Sequence, residues 1–134
     1  MKEFTIKEMS DLLCEILSEI KDDGENKTAV MIDKPLENSI FPCRVINTPL
    51  ETTIKTKNAL PILKTFKVII EEWATNQITA MEMANKTDTE LRKKNFVKTN
   101  TNQIVFDETI KKYKLANTYE VRWEGITNSF VFIN

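Results

Sequence analysis

The chain has no histidine. That removes His-dependent triads, most zinc sites and the commonest general base at neutral pH. It has two glycines, Gly24 and Gly125, so a phosphate-cradling loop of the Walker or dinucleotide type cannot be built. Its two cysteines, Cys14 and Cys43, stand 29 residues apart with no histidine to pair with. Neither a metal site nor a thiol nucleophile is supported, and two cysteines make no disulfide framework. Both read as small core or near-core residues in a reducing compartment. Apolar runs are only a few residues long, far short of the ~20 that span a bilayer, so no membrane partner is expected. Met1-Lys2-Glu3-Phe4 leads into an acidic helical pattern, not a secretory signal. No enzymatic activity and no cofactor are expected.

What is present reads as globular: 134 residues, 41% hydrophobic and 29% charged. That length fits one domain over residues 1–134, with about two-thirds of the unfolded surface buried. The net charge of −1 argues against a dedicated nucleic-acid binder, yet the charge is uneven. Residues 1–24 carry seven carboxylates against three lysines, leaving a net +3 on the remaining chain. An acidic face and a mildly basic body suit association between unlike surfaces; a solvated helix face is the plainer reading.

The first helix is announced by a capping box at Thr5 and Glu8, with a hydrophobic staple between Phe4 and Met9. Ile6, Met9, Leu12, Leu13, Ile16, Leu17 and Ile20 then follow at helical spacing, predicting a helix over residues 5–22 that stops at Gly24. A strand is expected over 28–32 and a loop over 33–42. Residues 42–56, broken by Pro49, fit an edge strand or two strand pieces. Residues 60–73 form the clearest strand, with Phe66, Val68 and Ile70 on one face and Lys67, Ile69, Glu71 and Trp73 on the other. Thr75 or Asn76 can cap a second helix running to about Lys94, its inner face traced by Ala80, Met81, Ala84, Thr87, Asp88 and Leu91. Asn95 can end it in a left-handed conformation. Strands over 96–100 and 103–106 are expected around a turn at Thr101-Asn102. A strong strand follows over 113–124, and an apolar tail over 129–133 needs a partner. The economical architecture is α+β: one mixed or antiparallel sheet with two helices packed on one face.

Two groupings carry possible chemistry. Glu120, Arg122 and Glu124 share one strand face, either as an Arg-held carboxylate site or as a solvent-facing charge ladder. Glu71 and Glu72 are adjacent on a strand, so they face opposite ways and share no site. A basic cluster of Arg92, Lys93, Lys94 and Lys98, with Lys111, Lys112 and Lys114 further on, could meet a phosphate backbone. It could equally be a solvated helix end, where cations suit the dipole.

Several phrases resemble a family. They are Ile40-Phe41-Pro42-Cys43-Arg44-Val45-Ile46, the run from Leu63 to Ala74, Ala80-Met81-Glu82-Met83-Ala84, Lys112-Tyr113-Lys114 and Tyr119-Glu120-Val121-Arg122-Trp123. In this order the chain is similar to the tail-terminator proteins of long-tailed bacteriophages, also described as tail-to-head joining or tail-completion proteins. The likeness is one of pattern over most of the chain. It implies a homohexameric ring capping the head-proximal end of the tail tube, ending tube polymerisation and presenting a surface to the head–tail connector or other neck proteins. It implies DNA passing through the lumen without sequence specificity, and a place in the virion tail after assembly in the bacterial host cytoplasm. On this reading the segments 33–42 and 49–60 and the apolar tail reach a neighbouring subunit or the tube, through Leu36, Ile40, Phe41, Ile54, Phe130 and Phe132. The DNA-facing residues would be Arg92, Lys93, Lys94, Lys98, Lys111 and Lys112. The alternatives are another neck component, such as a head–tail connector or tail adaptor, or a small nucleic-acid-binding module.

Overall fold

The computed structural model describes residues 3–24, 26–33, 35, 40–57 and 60–133. Helix α1 (Ile6–Ser18) begins at Thr5, whose side chain accepts from the Glu8 amide while the Glu8 carboxylate reaches back to the Thr5 amide. This is the capping box read from the sequence. The helix stops earlier than its apolar spacing predicted. Glu19 is the C-cap, and Ile20, though buried, lies beyond the helix. Lys21–Asp23 and Asn26–Lys27 then form a small antiparallel pair, β1 and β2. Gly24, at φ 61°, thus serves a turn between two short strands and not a helix end.

Beyond this pair lies an eight-stranded mixed sheet. Its centre is a long antiparallel ladder between β6 (Leu60–Ala74) and β9 (Lys112–Glu124), in register from Leu63↔Glu124 to Ala74↔Tyr113. Shorter strands line the outer edges of this pair end to end. Along β6 run β4 (Cys43–Ile46) and β5 (Leu50–Lys57), both antiparallel to it; Pro49 falls between them, so the interrupted run is two strand pieces. Strand β3 (Ala29–Ile32) adds to β4 in parallel. Along β9 run β8 (Val105–Asp107), β7 (Val97–Thr101) and β10 (Ser129–Val131). The expected turn at Thr101-Asn102 does not fold β7 back on β8. Both strands pair with β9, and the Asn102 amide still donates to the Ala116 carbonyl at 2.9 Å, so the chain travels on along the same edge. The apolar tail finds its partner in its own sheet, as β10.

Helix α2 (Gln77–Arg92) is capped by Asn76, whose side chain accepts from the Thr79 amide at 2.8 Å. Past its end Asn95 takes φ 70°, as expected. The inner face needs one correction. Ala80, Met83, Ala84, Thr87 and Leu91 are buried, whereas Met81 is half exposed. Met83 and not Met81 lies within reach of the 80–84–87–91 stripe once the helix is seated on the sheet.

The main core joins Met9, Leu13 and Leu17 of α1 and Leu91 of α2 to Phe66, Val68 and Ile70 of β6 and Tyr119, Val121 and Trp123 of β9. These strand residues alternate, so they share one face of the sheet. The opposite face carries a separate small cluster at one end, made of Cys43, Val45 and Trp73 with Met31, Phe41 and Ile110 packed on it. Its other half is open, with Lys67 and Ile69 exposed.

Candidate functional site

The most unusual residue in the interior is Arg44. Strand β4 places it on the face that meets α2, directly opposite Glu72 of β6, and none of it is exposed. Its Nε donates to Glu72 Oε2 at 3.0 Å and to Thr87 Oγ1 at 2.7 Å. Nη1 and Nη2 form a two-pronged pair with Asp22 of β1 at 2.5 and 2.8 Å, and Nη2 also donates to the Met83 carbonyl at 2.9 Å. The Thr87 hydroxyl donates to the same Glu72 oxygen at 3.0 Å. One guanidinium therefore ties β1, β4, β6 and α2 together. A planar five-donor fork suits this role, and a lysine could not fill it. Lys86 strengthens the join at the rim, donating to the carbonyls of Lys21 and Asp22 at 2.9 Å each.

Two carboxylates share this one cation, and their environments push them apart. Burial would raise Asp22, but hydrogen bonds from Arg44 and Thr28 and the charges of Arg44 and Lys86 more than reverse this, and its pKa is lowered. Glu72 is fully buried, and burial drives its carboxyl up to about 7 against the pull of Arg44 and Thr87. Its Oε1 has no hydrogen-bond partner. A carboxyl poised near 7 is what a general acid or base requires, but Glu72 has none of its surface exposed and no substrate could reach it as the chain is folded.

The neighbouring Glu71 faces the other way, as adjacent strand residues must. It accepts from Asn47 Nδ2 at 3.0 Å and from Trp73 Nε1 at 2.8 Å. A second buried cation, Lys64, sits near the other end of β6. Its ammonium donates to Glu3 Oε1 at 2.8 Å, to the Phe4 carbonyl at 3.0 Å and to Glu51 Oε2 at 3.1 Å, so all three donors are matched. Burial pushes the Cys43 thiol up to about 11, helped by Glu71 and Glu72, which leaves it inert as a nucleophile. No cluster of metal-ligating side chains occurs among the described residues, and no described helix is long and apolar enough to cross a membrane.

The residues expected at subunit contacts divide into two sets. Leu36 lies outside the described residues. Ile40 is 74% exposed, on the rim of a cleft of about 420 Å³ that also involves Asp22, Thr79 and Met83. Ile54 and Phe132 are about half exposed. Phe41 and Phe130 are taken up within the chain. Phe41 lies 6.4 Å from the Trp73 ring, and Phe130 stands 5.0 Å from both Phe4 and Trp123.

The basic cluster is two groups, not one. Arg92 is the last residue of α2 and Lys93 and Lys94 follow it, with Lys98 on β7 opposite Tyr119. Lys111 and Lys112 lie at the start of β9, beside the Tyr113↔Ala74 pair, and Ala74 shortly precedes the N-terminal end of α2. A helix of 16 residues is about 24 Å long, so the two groups are far apart. Arg92 and Lys93 are already paired with Asp88 and Glu90, whereas Lys112 sits over the Phe41 ring at 5.2 Å and Lys114 over Trp73 at 5.5 Å. Glu120, Arg122 and Glu124 hold no ion pair with one another, so no Arg-held carboxylate site forms there.

The sequence reading missed Arg44 and Lys64. The available signal was a cation inside an otherwise apolar strand phrase, Pro42-Cys43-Arg44-Val45-Ile46, with a carboxylate at a matching place in another such phrase, Ile70-Glu71-Glu72-Trp73. No protein-family model matches the chain, and no curated protein matches its sequence.

Proposed function

We propose that the chain is a structural subunit of a phage or phage-like tail, and that it acts through its surfaces, without catalysis. In this reading it forms a ring, six-fold on the family pattern, at the head-proximal end of the tail tube. The ring stops tube growth, receives the head–tail connector and lets DNA pass. The observation that carries the assembly part is where the interior charges go. Arg44, Asp22, Glu72, Lys64 and Glu71 are all bound into the fold, while Ile40, Leu50, Ile54 and Phe132 remain about half exposed or more. Scattered exposed aliphatics alone are ordinary; together with the likeness to tail terminators they favour a subunit that meets neighbours. A ring needs a head-to-tail contact that closes, and the exposed Ile40 and Ile54 are the residues we assign to it. Lys94, Lys98, Lys111 and Lys112, free of carboxylate partners in the described residues, are better DNA-facing candidates than the paired Arg92 and Lys93.

The test is removal of the coding sequence from its parent particle, followed by electron microscopy. Tails with overlong tubes and no heads, restored to normal length by supplying the chain, are the expected result. Tubes of normal length, or a chain located anywhere other than the head-proximal end, would overturn the reading; location at the neck with normal tube length would favour a connector or adaptor.

A further inference from the structure

The open half of the sheet's outer face has a pattern of its own. Register sets Leu50 of β5 opposite Lys67 of β6, Lys67 opposite Glu120 of β9, and Glu120 opposite Val97 of β7. Directly opposed residues share a face, so one row across four strands reads Leu50, Lys67, Glu120, Val97. The next row reads Thr52, Thr65, Arg122, Val131. No helix residue belongs to the small cluster on this face, and that cluster reaches only the far half, around Trp73 and Phe41. Leu50 is 66% exposed. Lys67, Glu120 and Arg122 form no ion pair among the described residues, although Lys67 and Glu120 are opposed in register. Arg122 Nε is buried without an acceptor.

We propose that this face receives a second copy of the chain, laid sheet on sheet and related by a two-fold axis along the seam between β6 and β9. The first row runs apolar, positive, negative, apolar. Turned over about that axis, each Lys67 meets the Glu120 of the second copy, and each Leu50 meets the Val97. The pattern is complementary to itself and to no uniformly charged surface, which is the requirement of an isologous interface. Sheets stack about 10 Å apart, a gap these side chains can fill. Four strands about 4.8 Å apart and a few rows deep give roughly 500 Å² on each copy, near the lower limit for a specific contact, so the pair is a weak one. It is not the ring contact: a two-fold face pairs and stops, whereas a ring closes head to tail. Loss of one leaves the other intact.

The experiment uses the full chain and three surface variants, with folding checked by circular dichroism. Lys67→Glu makes the row doubly negative and Glu120→Lys makes it doubly positive; Leu50→Asp removes the apolar flank. Sedimentation velocity should show the native chain pairing at tens to hundreds of micromolar. Each variant alone should need at least a tenfold higher concentration. An equimolar mixture of Lys67→Glu and Glu120→Lys should restore pairing, with native mass spectrometry finding mixed pairs. A native chain that stays single throughout this range, variants that pair as well as it does, or a mixture that fails to recover would each overturn the proposal. Tail capping by the charge variants tests the ring separately, because the ring does not depend on this face.

Discussion

Replacing Glu72 by glutamine isolates the buried charge imbalance around Arg44. The native site holds two carboxylates on one guanidinium; Glu72→Gln leaves one carboxylate, keeps the side-chain shape and keeps an oxygen to accept from Arg44 and Thr87. The Glu72 carboxyl stands at about 7 in the fold against an ordinary 4.5. Between those values the folded chain holds a proton that the unfolded chain has released. Raising the pH therefore favours unfolding, and this group's contribution to stability falls from pH 4.5 to 7 and is flat above. The gap corresponds to about 3 kcal/mol. Asp22 has the opposite sign: its pKa is lowered, its contribution is complete above the ordinary aspartate range, and it is lost only at lower pH. It does not mask a measurement between pH 5 and 8. Urea unfolding at fixed ionic strength should show Glu72→Gln near or slightly below the native chain at pH 5, gaining on it by about 2 to 3 kcal/mol by pH 8. Parallel stability curves over that range would refute the argument, since they would mean that Glu72 ionises in the fold as it does in the unfolded chain.

Arg44→Met should cost about 3–5 kcal/mol at neutral pH, because Asp22 and Glu72 are left without their cation, and adding Asp22→Asn and Glu72→Gln should recover much of the loss in a coupled, non-additive way. Lys64→Met should cost about 1–3 kcal/mol and, in limited proteolysis, expose the Glu3–Phe4 segment that the ammonium holds. Phe130→Ala should cost about 2–3 kcal/mol in denaturant titration, since its ring is packed among Phe4, Phe96 and Trp123, whereas Phe132→Ala should change stability by less than about 0.5 kcal/mol.

Where local physics decided the outcome, the sequence was readable. The Thr5 and Glu8 capping box, the Asn76 cap, the left-handed Asn95 and the alternation of Phe66, Val68 and Ile70 each depend on a few neighbouring residues, and each appears as expected. The α+β class and the mixed sheet follow from those elements in order. The misreadings fall where a distant partner overrides the local pattern. Helix spacing extends to Ile20, but the chain leaves the helix early and carries Asp22 to Arg44. A turn-like Thr101-Asn102 does not turn, because β9 is long enough to hold β7 and β8 on one edge. The basic residues close in sequence number are separated by the length of α2. The buried cations had no local sign, since burial of Arg44 and Lys64 depends on carboxylates 13 to 61 positions away.

The long central ladder also dictates an order of events during synthesis. Its first rung joins Ala74 to Tyr113 and its last joins Leu63 to Glu124, so one edge of β6 waits for a strand made tens of residues later. Until then the nascent chain presents Phe66, Val68 and Ile70 and an unpaired strand edge. Helix α1, already made, and α2, emerging in the interval, can shelter the apolar face, but neither covers the strand edge. Such a delay slows folding, because distant segments must meet before their pairing is rewarded, and it leaves the half-made chain exposed to aggregation. Arrival of β9, not emergence of the core residues on β6, is the step that closes this edge against other copies of the chain.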